Sequence, residues 1–203
     1  MTVFIMRHAP TSSNAETPGP ETIRGWGDVG LDDNGRKVAA ASARSLDRTP
    51  PDLIIASDLP RAKETADVVA QRFPQAHSFA TPELRTWNVG SWTGKPVDDA
   101  KPELSRLQTR NPHEAAPEGE SYQDFLDRWE TVVNQLRAVG QDRNVLAVVH
   151  GRQVYSLPRI VEGHRKEIPV EGPPHPGDIV AIDEDQGNVK PIYTGEEKAE
   201  VTA

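Results

Sequence analysis

The hydrophobic pattern of the chain predicts three buried strands. Short runs in which every residue is apolar lie at residues 3–6, 53–56 and 145–149. None of these runs alternates apolar with polar residues, so both faces of each strand are expected to be covered. This pattern is typical of interior parallel strands in an α/β sheet.

Helical patterns lie between the strands. An alanine-rich segment at 33–46 follows an Asp or Asn cap, and a second helix is expected to begin at Pro60, because proline suits the first helical position. A third helix is expected to begin near Ser121 and to end at Gly140, since its apolar residues recur at helical spacing. A fourth helix is expected over 153–161.

Two segments near the end of the chain, 178–182 and 189–193, have the pattern of a hairpin that closes one edge of the sheet. Because strands alternate with helices, the sequence predicts a three-layer α/β/α fold with a mostly parallel sheet. The length of 203 residues fits one domain, 1–203.

Two long segments do not fit this frame of strands and helices. Residues 11–30 and 95–118 contain several prolines and glycines, and they are expected to form loops over a site, the second with a short amphipathic piece at 102–110. Alternatively, the second segment is a solvent-exposed loop that has no functional role. The tail at 195–203 is expected to be mobile.

The composition narrows the range of functions. The chain has no cysteine, which excludes disulfides, thiolate nucleophiles and thiolate metal ligands. The formal net charge of −8 argues against a nucleic-acid-binding surface, which needs a basic face. No apolar run is long enough to cross a bilayer, and no basic region precedes the first apolar run as in a signal peptide. A cytoplasmic protein that binds no membrane is therefore expected.

Charged side chains follow each of the three predicted strands. Arg7-His8 comes after the first strand, residues 57–61 after the second and residues 150–152 after the third. Ligands of open parallel sheets bind outside the carboxyl ends of the strands. Two histidines and at least two arginines are therefore expected to meet at one edge of the sheet.

Such a cluster suits phosphoryl transfer. A neutral imidazole is a good nucleophile near neutral pH, and arginine forks match phosphate oxygens while keeping their charge. Each residue also has a structural alternative. His8 and His150 could be satisfied polar groups, with metal binding as a weaker alternative, and Arg61 could form a surface ion pair with Asp58 or Glu64. A metal site would need a further ligand, and the arginines would repel the ion.

The same segments resemble the histidine phosphatase superfamily, and its phosphoglycerate-mutase-like branch in particular. RHA at 7–9 is similar to the family's R-H-G, and ASDLPRAKETA at 56–66 is similar to its S-x-x-x-R-A-x-x-T-A signature. VVHG at 148–151 matches the second-histidine motif. Three more segments fit in the family's order: RGWGDVGLDDNGR at 24–36, NVGSWTG at 88–94 and PEGES at 117–121.

The resemblance implies a role for each matched residue. His8 would be the nucleophile that forms a transient phosphohistidine, and Arg7, Arg61 and His150 would surround the phosphoryl group. Three lesser phosphate contacts are implied, from Thr11, Asn14 and the Gly151 amide. The substrate side of the pocket would be lined by Arg24 and Gly25. The family needs no metal or organic cofactor, so none is expected here.

One position departs from the family pattern. Members of the branch usually read L-x-E-x-x-x-G, with the glutamate as general acid, but Thr86 stands at that position here. Threonine cannot donate a proton at neutral pH. Glu83 is a candidate acid if the loop turns helically there, and a surface glutamate is the alternative. Without an acid, the sequence predicts a preference for good leaving groups, as in aryl or acyl phosphates, pyrophosphates or phosphoramidates.

A phosphatase acting on a phosphorylated small molecule is the leading interpretation. A mutase, which transfers the phosphoryl group to a second hydroxyl, is one alternative. A catalytically impaired phosphate-binding module, suggested by Thr86, is another. Arg106 and Arg110 lie one helical turn apart, and they contact either a second anionic group or only solvent. A monomer and a dimer are both left open.

Overall fold

The computed structural model describes residues 1–11, 21–163 and 174–193. Within these residues, six strands form one sheet: β1 (Val3–Arg7), β2 (Leu53–Ser57), β3 (His77–Thr81), β4 (Val145–Val149), β5 (Ile179–Asp183) and β6 (Asn188–Tyr193). Their spatial order is β3-β2-β4-β1-β5-β6. Strands β3, β2, β4 and β1 run parallel, and β5 and β6 form an antiparallel hairpin next to β1. The sheet is mostly parallel, as predicted.

The described part of the chain contains five α-helices: α1 (Asp33–Arg44), α2 (Pro60–Arg72), α3 (Val97–Thr109), α4 (Tyr122–Val139) and α5 (Gly151–Val161). Each predicted helix is present. The carboxylate of Asp32 accepts the Gly35 N–H at the start of α1, and the hydroxyl of Ser121 accepts the Asp124 N–H at the start of α4. Helix α5 begins two residues earlier than predicted, and a single residue, His150, connects it to β4.

The helices cover both faces of the sheet. On one face, α1 and α2 pack against strand residues that include Met6, Ile54 and Val148. On the other face, α4 and α5 pack against the alternate residues, which include Ile5 and Ala147. The interior strands β1 and β4 are buried on both sides, which explains their continuous apolar runs. The prediction of a three-layer α/β/α fold is confirmed.

Among the described strands, β3 is the one that the hydrophobic pattern does not predict. Its residues, HSFAT, are exposed or half-buried, so they lack the apolar run that marks the interior strands. Pairing with β2 places β3 at the edge of the sheet. An edge strand with one neighbour and little burial has no need of a hydrophobic sequence.

The prediction of a long loop over 95–118 is wrong for residues 97–109, which form α3. The prediction relied on the prolines of this segment, but Pro102 lies inside the helix. The apolar face of α3 is buried with Trp87 and the first turns of α4 in a cluster separate from the two main ones. Burial of this face stabilises the helix and explains why it tolerates the loss of the hydrogen bond that proline removes.

The loop predicted over 11–30 is described only in part, because residues 12–20 lie outside the described ranges. Its second half pairs with the chain that leads into α3, through backbone hydrogen bonds between residues 21–23 and 94–97. The tail predicted to be mobile, 195–203, also lies outside the described residues.

Gly90 lies where two loops touch. Its φ of 52° is in the left-handed region, and a Cβ added there would lie 1.9 Å from the carbonyl oxygen of Pro117. That oxygen accepts the Ser91 N–H at 2.9 Å, and the Asn88 carbonyl accepts the Glu120 N–H at 3.0 Å. Both the conformation and the close approach therefore require glycine.

We expect Gly90→Ala to lower the free energy of unfolding by about 2–5 kcal/mol. The left-handed conformation contributes about 1–2 kcal/mol, and displacement of the facing backbone contributes about 1–3 kcal/mol. Gly94→Ala is the matched control, because Gly94 has a φ of 81° but no atom within 4 Å of an added Cβ. Urea unfolding followed by tryptophan fluorescence measures both variants. Equal losses would show that the approach to Pro117 contributes nothing.

Candidate active site

The carboxyl ends of β1 and β4 place two histidines side by side. The strands are parallel neighbours with Arg7 opposite Val149, and the His8 N–H donates to the Val149 carbonyl at 2.8 Å. The ring centroids of His8 and His150 are 5.3 Å apart, and each residue is 3% exposed. The structure therefore brings the two histidines together at one edge of the sheet, as expected from the sequence.

Arg61 reaches the same place from the second residue of α2. It is 2% exposed, and its Nε donates to His150 Nδ1 at 3.3 Å. Its two terminal nitrogens donate to the carbonyls of Gly27 and Gly25 at 2.9 and 2.8 Å. The guanidinium thus fixes the loop around Gly25 to the histidine pair.

The surface ion pair considered for Arg61 is absent. Asp58 pairs instead with Arg85, at 2.6 Å, and Glu64 pairs with Arg36, at 3.1 Å. The Arg61 side chain is buried with carbonyl and imidazole acceptors, none of which neutralises its charge.

The hydrogen bonds of the two histidines assign opposite roles to their Nε2 atoms. His8 Nδ1 lies 2.8 Å from the Ala9 carbonyl, which can only accept, so Nδ1 carries the proton and Nε2 has a free lone pair. His150 Nδ1 accepts from Arg61 Nε, so in neutral His150 the proton is on Nε2. The site therefore offers one nucleophilic nitrogen and one N–H donor.

Burial lowers the pKa of both histidines well below the ordinary value of 6.5. Desolvation is the largest cause, and the positive charges of Arg61 and Arg7 act in the same direction. Both imidazoles are therefore neutral near pH 7. Burial also lowers the pKa of Arg7 and of Arg61 to about 10, which leaves both guanidinium groups charged at neutral pH.

Arg7 is fixed by the backbone around the end of β1. Its N–H donates to the Asp178 carbonyl at 2.9 Å, and its side chain donates to the Pro174 carbonyl. A Cβ added at Gly151 would lie 3.3 Å from Arg7 Nε. The absence of a side chain at Gly151 thus keeps space for the Arg7 guanidinium beside the start of α5.

These residues line a cleft of about 340 Å³. Of the residues predicted for the site, eight line it: Arg7, His8, Arg24, Gly25, Arg61, Thr86, His150 and Gly151. The other lining residues were not predicted for the site, and three of them are charged or aromatic: Glu21, Trp87 and Arg152. The Arg152 guanidinium lies 5.0 Å from the Trp87 ring centroid and donates to Gln108 Oε1 at 2.7 Å. In the sequence, the position of Arg152 two residues after His150 could have indicated that it lies at the site.

The remaining predicted residues lie elsewhere. Thr11 is fully buried and pairs with Leu31, and it does not line the cleft. Asn14 lies outside the described residues. Arg106 forms ion pairs at 2.6 Å with Glu103 and with Glu114, as expected for a solvated helix face.

The structure does not bring Glu83 into the cleft. The chain does turn helically there, in a 3₁₀ helix over Pro82–Leu84, but Glu83 is exposed and does not line the cleft. Thr86 lines the cleft and is 9% exposed, and its carbonyl accepts the Trp26 indole N–H at 2.8 Å. The surface interpretation of Glu83 therefore fits the structure.

Two buried polar residues that were not predicted hold the site in place. Thr65 Oγ1 accepts the Ala9 N–H at 3.0 Å and donates to the Arg61 carbonyl at 2.7 Å. Gln153 accepts the His150 N–H at 3.2 Å and donates to the Leu84 carbonyl at 2.9 Å. Thr65 lies within the motif at 56–66, which was its only signal in the sequence.

Three buried N–H donors of the cleft have no hydrogen-bond partner within the described residues: Arg7 Nε, Arg24 Nε and His150 Nε2. Buried polar groups are nearly always paired in folded proteins. Two of these donors belong to charged guanidinium groups, and N–H donors of this kind suit an anionic ligand such as a phosphoryl group.

The described residues contain no group of three or more His, Asp or Glu side chains arranged to hold a metal ion. None of the helices in this part of the chain is both long and apolar enough to span a bilayer.

Comparisons with known proteins agree with this chemistry. The sequence model of the histidine phosphatase superfamily (branch 1) matches residues 3–190. The chain is 36% identical over 166 residues to the glucosyl-3-phosphoglycerate phosphatase of Mycolicibacterium vanbaalenii, which covers 76% of this chain and 71% of that protein. It is 29% identical over 161 residues to phosphoglycerate mutase-like protein 4 of Arabidopsis thaliana, covering 76% and 68% of the two chains.

A solved structure supports the same assignment. The crystal structure of the alpha-ribazole phosphatase of Shigella flexneri matches with a TM-score of 0.75 and 25% identity, over 97% of this chain and 96% of that one. The family model covers nearly the whole chain and includes the motifs at 7–9, 56–66 and 148–151. The resemblance seen in the sequence is confirmed, and the chain belongs to the histidine phosphatase superfamily, branch 1.

Proposed function

We propose that this protein is a metal-independent phosphatase that hydrolyses a phosphorylated small molecule through a phosphohistidine at His8. The observation that carries the proposal is the His8 Nε2 lone pair, which belongs to a buried neutral imidazole beside two charged arginines. A nucleophile of this kind needs no metal to be active at neutral pH. The phosphatase names of the relatives support hydrolysis.

The reaction takes two displacements. In the first, a bond forms between His8 Nε2 and phosphorus while the ester P–O bond breaks, and the leaving oxygen takes up a proton. In the second, a water oxygen bonds to phosphorus, the N–P bond breaks, and the water gives up a proton. Ester and water thus yield alcohol and phosphate, and His8 returns to its starting state.

Fixed donors stabilise the phosphoryl group in both steps. Its three equatorial oxygens carry the charge of the transition state, and the Arg7 and Arg61 guanidinium groups and the His150 Nε2–H surround them. Gly151 lies at the N-terminus of α5, where its amide suits an anionic oxygen. Arg24 and Gly25 belong to the substrate side of the cleft, and Thr11 and Asn14 remain predicted lesser contacts.

The test is a phosphate-release assay over a panel of substrates, with and without EDTA. The panel contains p-nitrophenyl phosphate, an alkyl phosphate, 3-phosphoglycerate, glucosyl-3-phosphoglycerate and alpha-ribazole phosphate, the last two suggested by the names of relatives. We expect phosphate release that EDTA does not change. Transfer to a second hydroxyl of 3-phosphoglycerate without release would favour a mutase. Tight binding of phosphate with no turnover of any substrate would favour a binding module.

The pH dependence provides a separate prediction. We expect kcat/KM for p-nitrophenyl phosphate, corrected for ionisation of the substrate, to stay on its plateau through pH 6.5 and to fall only at lower pH. The reason is that kcat/KM reports the free enzyme, in which the lowered pKa keeps the His8 lone pair available. A fall centred at or above pH 6.5 would mean that the nucleophile is solvated rather than buried.

A further inference from the structure

The first displacement needs a proton donor for the leaving oxygen, and the two residues considered from the sequence do not provide one. Glu83 is exposed and lies outside the cleft, and the Thr86 hydroxyl is not an acid at neutral pH. Among the described residues that line the cleft, one carries a carboxyl group, and it is Glu21. This residue belongs to none of the motifs that identify the family.

The backbone around Glu21 is fixed next to the start of α3. The Glu21 carbonyl accepts the Val97 N–H at 2.8 Å, and the Ile23 N–H donates to the Lys95 carbonyl at 2.8 Å. The Gly94 N–H donates to the Ile23 carbonyl at 2.7 Å. These three hydrogen bonds hold residue 21 at the rim of the cleft independently of its side chain.

The Glu21 carboxylate lies next to a cation of the cleft and acts electrostatically on a second one. Its Oε1 is 3.5 Å from Arg24 Nη2, and its charge raises the pKa of Arg7 against the lowering effect of burial. A substrate that contacts Arg24 on the substrate side of the cleft would therefore lie close to the Glu21 carboxyl.

The exposure of Glu21 also suits a proton donor. Its side chain is 65% exposed while it lines the cleft, so it can exchange protons with water between turnovers. Two other carboxylates act electrostatically on the site arginines, Asp28 on Arg61 and Asp178 on Arg7, but neither lines the cleft. Glu21 is thus distinguished from both by its access to the bound substrate.

We propose that Glu21 is the general acid that protonates the leaving oxygen in the first displacement and takes a proton from the attacking water in the second. This role rests on the proposed phosphatase function. With Glu21 in this role, simple alkyl phosphates belong to the substrate range, and the preference for activated leaving groups expected from Thr86 is removed.

The experiment compares Glu21→Gln with Asp28→Asn on two substrates, β-glycerol phosphate, which is an alkyl ester, and p-nitrophenyl phosphate, whose leaving group departs as a stable anion. Asp28 is the matched control, because it is exposed and its charge acts on Arg61, yet it lies outside the cleft lining. We expect Glu21→Gln to lower kcat/KM for the alkyl ester by about 10²–10⁴-fold and for the aryl ester by less than about tenfold. Asp28→Asn should change neither by more than about tenfold.

The pH profile adds a readout that a structural role would not change. In wild type, the pH profiles of the alkyl and aryl esters should differ, because only the alkyl ester needs a proton donor, and Glu21→Gln should remove this difference. Equal losses on the two substrates would overturn the proposal, as would no loss on either. A wild type that hydrolyses the aryl ester but not the alkyl ester would also overturn it.

The aryl ester separates this proposal from the one on which it rests. Hydrolysis of p-nitrophenyl phosphate by wild type tests the phosphatase function without any proton donor. If that reaction is absent, the proposed function has failed. If it proceeds while the selective loss in Glu21→Gln is absent, only the role of Glu21 has failed.

Discussion

Replacing His8 with alanine is expected to abolish the phosphoryl-enzyme and to lower kcat by about 10⁴–10⁶-fold, as loss of a nucleophile does in other covalent enzymes. The His8 Nδ1 proton is held by the Ala9 carbonyl, so Nε2 of this residue supplies the lone pair that attacks phosphorus. Loss of this nitrogen removes the first displacement entirely, and no other described residue that lines the cleft has an imidazole nitrogen free to attack. His150 Nε2 carries a proton and cannot attack.

The measurement combines labelling with kinetics. Wild type quenched during turnover of a ³²P-labelled substrate should hold a label that is lost in acid, as expected for phosphohistidine, and His8→Ala should hold none. His77→Ala is the control, because His77 lies exposed on β3 and should leave both label and kcat unchanged. His150→Ala should turn over slowly but still accept label. Labelling of His8→Ala at the wild-type level would place the nucleophile elsewhere.

Arg61→Lys is expected to lower kcat/KM by about 10³–10⁵-fold, the range observed for arginines that stabilise phosphoryl transfer in other enzymes. Lysine keeps the charge but has one ammonium in place of a planar fork, so it cannot donate to Gly25, Gly27 and His150 together. Two effects therefore combine: weaker contact with the phosphoryl oxygens and a loop around Gly25 that is no longer fixed.

The control for this variant lies on the same helix. Arg72→Lys changes an exposed arginine of α2 that pairs with Asp47, and it should leave kcat/KM within about tenfold of wild type, because surface ion pairs contribute little. Steady-state kinetics on p-nitrophenyl phosphate measures both variants, and circular dichroism confirms that they fold. If Arg61→Lys retains wild-type kcat/KM, the guanidinium fork does not contact the transition state.

The sequence predicted the centre of the site because local pattern and topology coincide there. The apolar runs at 3–6 and 145–149 end at Arg7-His8 and at His150, and the rule that parallel strands present their carboxyl ends at one edge brings these residues together. Arg61 follows from the same rule, since it starts the helix after β2. These positions depend on short stretches of chain and on one topological rule.

Other features depend on contacts that no short stretch of sequence encodes. Strand β3 has no hydrophobic run because it is a poorly buried edge, and α3 is stabilised by burial against Trp87 and α4 despite Pro102. Glu21 lines the cleft because residues 21–23 pair with a segment more than seventy positions later. Glu83 was the nearest acidic residue in sequence to position 86, and the outward 3₁₀ turn moves it away from the cleft.

The position of β1 and β4 in the middle of the sheet has a consequence for how activity is lost under mild denaturation. Each of these strands is hydrogen-bonded on both sides, so separating His8 from His150 requires the global unfolding event that also exposes the most slowly exchanging amides. The rim that carries Glu21 and Arg24 is tied down by a few loop hydrogen bonds and can open locally at much lower free energy. At low urea, the protein should therefore still accept a phosphoryl group on His8 from p-nitrophenyl phosphate, which needs no proton donor, after its hydrolysis of alkyl esters has declined.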